Sequence, residues 1–540
     1  MHYHQRLDGV SVSTSLKGSG TESDPFLIES GADLKYIADK VNAAAPRTKM
    51  FGYKYFKFTN SIDLNGQDIF IGSYPDWNNR KGLYGFIDGN HCTIRGLDQA
   101  GSLFGSVECG YIKNLSVYGR ISAPTGEFTG GIVAYICDGT MLENLTSYVT
   151  ISGKSGVGGI VGASAGNASD IINCVNYGNV TGTAYNIAGI VGYGGHDITG
   201  CVNFGNISSS DVNVGGITGD TNKTGIVSGC INYGSVTVTA ASKGQIGGIV
   251  GNNKKLVQGC INYGNVIGVN TTGGICGLSS VKIENSINYG AVNASSWNIG
   301  GIAGRASGEG ISRCQNFGVV TSISDAIGGI VGTAQSNITN CENNGTVSAK
   351  ANVGGIVGVG HMTISNCVNN GEINANWDCG GILGIVGGES AVSLVDCINN
   401  GNVTAALNST GNGGTGVGGI FGYNADGILT ITSSTNNGAV KGTWGVGGIA
   451  GNINTSTVII GSVNNGNLSA EGQVGGIVGK CSGKVTACTN NGRIVGRVDI
   501  IGGIVGHLHA STYLDEIKNT NYQDGTVTGP NAGDIIGKID

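Results

Sequence analysis

The residue types best suited to chemistry recur in rows. A box of the form I-x-N-C-x-N-[YFN]-G-x-V first appears as IINCVNYGNV at 171–180. At its Cys position the successive copies read Cys174, Cys201, Cys230, Cys260, Ser286, Cys314, Cys341, Cys367, Cys397, Ser434, Ser462 and Cys488. Such a row could bind soft metals or exchange electrons. Metal sites, however, want paired ligands at short spacing with a second Cys or a His nearby, and no C-x-x-C stands in the chain. The total of 15 Cys is odd, and Ser interrupts the row. A reduced, inward packing row fits these facts better. Two residues on, every box carries an Asn, from Asn176 and Asn203 through Asn464 and Asn490. An inward Asn at a bend can bond its own turn and its neighbours along a stack.

The residue after that Asn points to binding. It reads Tyr177, Phe204, Tyr233, Tyr263, Tyr289 and Phe317, then Asn344, Asn370, Asn400, Asn437, Asn465 and Asn491. A position that takes Asn as well as Tyr, followed by Gly, reads as an outward turn. The residue before the inward Asn includes Gln315, Glu342 and Thr435, which agrees with that parity. Exposed aromatic rows bind sugars, peptides or other flat apolar groups, so the six aromatics are candidate ligand-binding residues. The competing reading is a stabilising stack half-covered by loops. A second register, four residues before the second Gly of a recurring GG pair, holds Tyr185, Trp297, Trp377 and Trp444. Parity would send these inward, and the Gly-rich bend could reverse that. Trp297, Trp377 and Trp444 join the candidates. The interval from Ile382 to Ile420 is about ten residues longer than the average. Its extra length falls in GESAVSL or AALNSTGNGGTG, and insertions of this kind are often binding loops.

Catalytic patterns are missing from the sequence. The seven His are His2, His4, His91, His196, His361, His507 and His509, and no HExxH exists. His507 and His509 could share one strand face, but no third ligand accompanies them. No GxSxG elbow stands between a strand and a helix. Glycosidases need two facing carboxylates. Here Arg305, Arg313 and Asp325 fall in adjacent coils, as do Asp378 and the coil of His361. With charged residues at 12% such neighbours arise by chance. No catalytic residue, metal ligand or cofactor is nominated, and the reading leans away from an enzyme.

The elements that position these rows follow from a repeat. A GG-I-[VAT]-G box recurs with its Ile at 132, 160, 190 and onward to 504, and the 13 intervals average about 28.6 residues. Two short β-branched runs per period, separated by Gly and Asn turns, are strand signals. One coil cannot cover its own apolar face, so coils must stack. The crossover preference sets the hand. The expected fold is all-β: a right-handed parallel β-helix (β-solenoid) of about fifteen coils of ~28 residues. Before it, Ser30-Gly31-Ala32-Asp33 resembles a capping box, and Leu34, Ile37, Ala38 and Val41 form a helical stripe ending before Pro46. That helix is the expected N-terminal cap of an otherwise open end. The boundaries are a leader or flexible N-terminus at 1–17, cap and entry coils at 18–100, and repeats at 101–540. The first residues, MHYHQRLDGVSVSTSL, contain no apolar run of a secretory signal.

Composition agrees. Of 540 residues 101 are Gly, only 5 are Pro, and 39% are hydrophobic. Low charge with a mean hydropathy of +0.08 argues for order. The Gly spacing is not collagen-like. Gly interrupts every apolar run before it reaches membrane-spanning length. The net charge of -6 leaves no nucleic-acid footprint.

Together the GGIVG box, the NC-x-N-[YN]-G box, and the upstream GSGTESDPFLI, YFKFTNSIDLNG and GFIDGNHCTIRGL resemble bacterial GLUG-repeat proteins, from residue ~18 to Gly537. The resemblance implies right-handed β-helix modules of secreted or surface proteins, common in gut and anaerobic bacteria. Related repeats accompany immunoglobulin A-cleaving metallopeptidases, whose zinc motif this chain lacks. GFIDGNHCTIRGL is also similar to the entry coils of polysaccharide-active β-helices. The family offers no catalytic residues to carry over. An anaerobic niche would reconcile a surface location with abundant Cys. The expectation is a non-catalytic, adhesin-like module binding a glycan or host ligand along the aromatic/Asn edge. A lyase or hydrolase working in a groove, and a pure spacer stalk, are the alternatives.

Overall fold

Short β-branched runs punctuated by Gly and Asn leave no stretch long enough for a globular sheet, and each period instead closes into one turn. The computed structural model is an all-β parallel β-solenoid of about 17 turns with ~28-residue coils and one helix among the described residues. It describes residues 13–539, apart from 77, 138, 165–168, 196, 222–223, 240–243, 407–415, 498–499, 509–512, 516–517, 520–526, 529–531 and 534. Two compact units divide the chain, Met1–Val236 and Thr237–Asp540.

One turn of the second unit shows the local logic. Ile338–Thr339 lies in one sheet, Glu342–Asn343, Val347–Ser348 and Ala351–Gly354 follow in a second, and Val357–Gly360 lies in a third. Each residue pairs with its equivalent one turn on: Ile338 with Ile364, Asn343 with Asn369, Val347 with Ile373 and Val357 with Leu383, all parallel. The corners between strands need left-handed backbone, and Asn tolerates it best among side-chain-bearing residues. Asn340 (φ 54°) and Asn352 (φ 53°) serve there. The GG box has a different cause. A Cβ on Gly329 would fall 2.1 Å from the Gly355 carbonyl oxygen and 2.3 Å from Cγ of Asn343, so only glycine leaves room for the inward amide. Val292, Val320, Val347, Ile373 and Val403 form one of the fully buried interior rows.

The first unit opens with the strand Phe26–Ile28, which pairs with Lys54–Phe58. The helix Gly31–Ala43 is inserted between them and buries Leu34, Ile37, Ala38 and Val41, the stripe read from the sequence. Its capping differs from the expected box. The Ser30 hydroxyl caps no helix N–H; it donates to the Asp33 carboxylate at 2.9 Å, as do the Glu29 backbone N–H at 3.0 Å and the Ser13 hydroxyl at 2.6 Å. Burial pushes the Asp33 carboxyl upward, but these hydrogen bonds prevail and hold it below its usual range. Lys54–Phe58, Gly85–Asp88 and Tyr111–Lys113 then stack in order, closing entry turns that carry no GG box. Those turns raise the count above the fifteen expected from the box alone.

Candidate binding faces

The six aromatics predicted to face outward do so, each between 41% and 45% exposed. In the first unit the row is longer than the motif suggested. Tyr118, Tyr148, Tyr177, Phe204 and Tyr233 stack with centroid spacings of 4.1, 4.6, 4.7 and 4.9 Å, and no adjacent pair is tilted by more than 9°. The Arg95 guanidinium lies 5.5 Å from the Tyr118 ring centre. The Tyr148 hydroxyl is pushed above its ordinary value by partial desolvation and by its hydrogen bond with Tyr118. Tyr118 and Tyr148 escaped sequence reasoning because Ser147 stands where later coils have the inward Asn. Their spacing of about one period before Tyr177 was the available signal.

The second unit continues the pattern with Tyr263, Tyr289 and Phe317 at 5.0 Å steps. At Asn344 the row changes chemistry. Asn370 donates to Asn344, Asn400 to Asn370, Asn437 to Asn400, Asn465 to Asn437 and Asn491 to Asn465, each at 2.8 Å. Glu342 stands beside this change: it accepts from Gln315 at 2.9 Å and from Asn370 at 2.8 Å. Because neighbouring rings cover each other's faces, the aromatic row offers solvent its edges and hydroxyls. A ligand lying along it meets the electropositive ring rim and Tyr O–H groups.

Behind this face run two buried columns. The inward Asn residues are fully buried, and along the row their Nδ2 atoms donate both to their own turn and to the next coil. Asn316 reaches Gly318 O at 2.9 Å and Asn343 Oδ1 at 2.8 Å; Asn343 reaches Gly345 O and Asn369 Oδ1, both at 2.8 Å. The inner amides thus donate toward the C-terminus and the outer ones toward the N-terminus. All fifteen Cys are thiols, and fourteen are buried. In the Cys column the thiols donate to backbone carbonyls, as Cys367 does to Ser365 O at 3.3 Å and Ile338 O at 3.6 Å. Burial pushes the Cys201 and Cys341 thiols strongly up and that of Cys397 to about 12, which keeps these three protonated and unreactive.

The tryptophan register faces outward. Trp297 is 56% exposed, while Trp377 and Trp444 are half-buried. The reversal comes from the following residue, left-handed at Asn186, Asn298, Asp378 and Gly445. Trp444 lies against Gly472 of the next coil. Trp377 lies beneath the Lys350 ammonium, 5.4 Å from its ring centre. Near Trp297 and Trp377 the second unit holds a groove of about 830 Å³, lined in part by Ser295, Ile323, Lys350, Asn374 and Asn376. Of the long coil, Ala391–Val395 is a strand, and the AALNSTGNGGTG segment falls largely outside the described residues.

The scattered charged residues do not converge. Arg305 and Asp325 lie on strands of two different sheets, and Arg313 sits at the left-handed corner after the strand Ile311–Ser312 of a third, engaged by Glu284 at 2.7 Å. The His361 Nδ1 sits 2.8 Å from the Ser390 hydroxyl, and that hydroxyl donates to Gly387 O. His507 contacts Gln473 at 3.2 Å, while His509 and His196 lie outside the described residues. Among the described residues no group of three His, Cys, Asp or Glu could hold a metal ion, and no helix is long and apolar enough to cross a membrane.

No family model matches the chain. Halomucin of Haloquadratum walsbyi is 28% identical over 183 residues, which is 31% of this chain and 2% of that protein. The chain therefore corresponds to a small fraction of that relative's length. A solved structure, a candidate immunoglobulin A1 protease from Bacteroides ovatus, aligns over 94% of this chain and 88% of its own at 16% identity. Its TM-score of 0.17 carries no argument about this chain. The similarity to both proteins is distant.

Proposed function

We propose that this chain is a non-catalytic, adhesin-like module of the GLUG-repeat type, carried on a bacterial surface or secreted, that binds a glycan or host ligand along its aromatic/Asn edge. The observation that supports this most is the exposure of the ladder. Large apolar groups left two-fifths exposed in unbroken rows are a liability unless something covers them. Tyr177, Phe204 and Tyr233 present edges and hydroxyls, and Tyr263, Tyr289 and Phe317 do the same in their own unit. Such a rim suits a hydroxyl-rich chain lying along the strip: sugar oxygens meet ring C–H groups and Tyr O–H donors. The spread of the charged side chains over different sheets favours binding over bond cleavage.

The test is a glycan array with product analysis on acidic and neutral polysaccharides. Retained chains without new reducing ends are the expected result. In the double variant Tyr177→Ala with Tyr233→Ala, binding weakens at least tenfold while circular dichroism and thermal unfolding stay near wild type. Each substitution removes an edge contact and one of the two rings stacked on Phe204. Unchanged binding would remove the strip from consideration, and released oligosaccharides would make the protein an enzyme.

A further inference from the structure

The geometry points to a second site, the groove of the second unit, as a cleft for a carboxylated sugar chain lying across successive coils. This rests on the reading of the protein as a binding module and places a different ligand contact from the aromatic ladder.

The groove's floor and walls differ in chemistry. Ala294, Ala349 and Ala375 keep the floor shallow and apolar, and Ile267 and Ile323 rise from it, Ile323 being 78% exposed. Outward positions of consecutive strands add hydroxyls and amides. Ser348 pairs with Asn374 and Asn374 with Thr404, so these polar groups recur at the ~4.8 Å strand spacing. A chain of pyranose rings has matching chemistry, with C–H faces for the floor and hydroxyls for the walls.

Charge selects among such chains. Lys350 is the one charged residue among those lining the groove, and none is acidic. Its ammonium rests over Trp377 and forms no ion pair among the described residues. A cation held beside an apolar floor, with no carboxylate of its own, favours an anionic partner. A peptide fits less well. Extended peptides gain affinity by pairing backbone with an open sheet edge. Here the strands under the groove already pair on both sides, as Val347–Ser348 does with Val320–Thr321 and with Ile373–Asn374.

Titration calorimetry on the full chain tests the assignment with oligogalacturonate, its methyl ester, an oligosialate and poly-glutamate. The expected result is binding of a carboxylated glycan, at least tenfold weaker for the ester and for Lys350→Gln. Relative affinity for oligogalacturonate and oligosialate then identifies the sugar. The Tyr177→Ala with Tyr233→Ala variant should keep this binding. Poly-glutamate binding as tightly as either glycan would overturn the sugar assignment. Loss in the ladder variant with retention in Lys350→Gln would overturn the groove and leave the binding-module reading standing. No binding of any carboxylated chain would also overturn the groove, and the glycan array then decides the module reading by itself.

Discussion

Within the second unit one coil position is solved twice. Tyr263, Tyr289 and Phe317 fill it first, and Asn344 through Asn491 fill it afterwards, on a backbone that does not change. The amides of Tyr289, Phe317, Asn344 and Asn370 all donate to the inward Asn of the preceding coil at 2.7–2.8 Å. The position therefore demands a flat group that can repeat at strand spacing, and aromaticity is one of two ways to supply it. Rings satisfy it by mutual stacking and leave an amphipathic rim. Amides satisfy it by a hydrogen-bond chain and leave a polar one. The switch near Glu342 changes what the face can hold without changing the fold.

Three perturbations separate support from surface. The largest effect belongs to the adjacent pair Asn343 and Asn344. Asn343→Ala strands a buried carbonyl and two neighbouring amides, a cost of ~3 kcal/mol or more. At the half-buried outer Asn344, the change Asn344→Ala should cost under about 1 kcal/mol, because water replaces what is lost. Urea unfolding and hydrogen exchange of the flanking coils would measure both, and equal losses would erase the distinction between inner and outer columns. An intermediate effect comes from pH. The unfolded chain releases its thiol protons near 9, while the folded chain holds that of Cys397 to about 12. Stability from this group is whole below pH 9 and drains away as pH climbs toward 12. Unfolding midpoints should fall over that window, and less steeply in Cys397→Ser, a replacement already present at Ser434 and Ser462. The smallest effect is Phe317→Asn, which extends the amide chain by one member and shortens the stack. Its predicted cost is about 1 kcal/mol, a lost ring pair set against a gained hydrogen bond. A loss several times larger would mean that the two solutions are not interchangeable.

The sequence carried the fold because period and parity are both written in residue type. Cys or Ser, then Asn two residues later, then an aromatic or Asn before Gly, set inside and outside in each coil that carries the box. The helix stripe Leu34, Ile37, Ala38 and Val41 was legible for the same reason. The site was only partly legible. Which atoms of Tyr177 meet solvent depends on rings in other coils about one period away, and no local pattern reports that its faces are covered. The outward turn of Trp297 depends on the left-handed Asn298, a backbone state that Asn permits without announcing. The groove is subtler still. It exists because Ala294, Ala349 and Ala375 are small at equivalent places, while Lys350 looks like any exposed lysine until the coils are stacked.

The in-register matching has a genetic consequence. Asn316 hands its amide bond to Asn343 as Asn343 hands its own to Asn369. Deleting or duplicating one whole period in the gene would rejoin like with like, and each new junction would meet the partner it already had. Chain length in such a protein is free to drift by recombination between repeats, at little cost to folding. The groove around Lys350 draws on particular coils and has no such freedom, so selection for its ligand would fix the copy number there while the remaining turns are gained and lost.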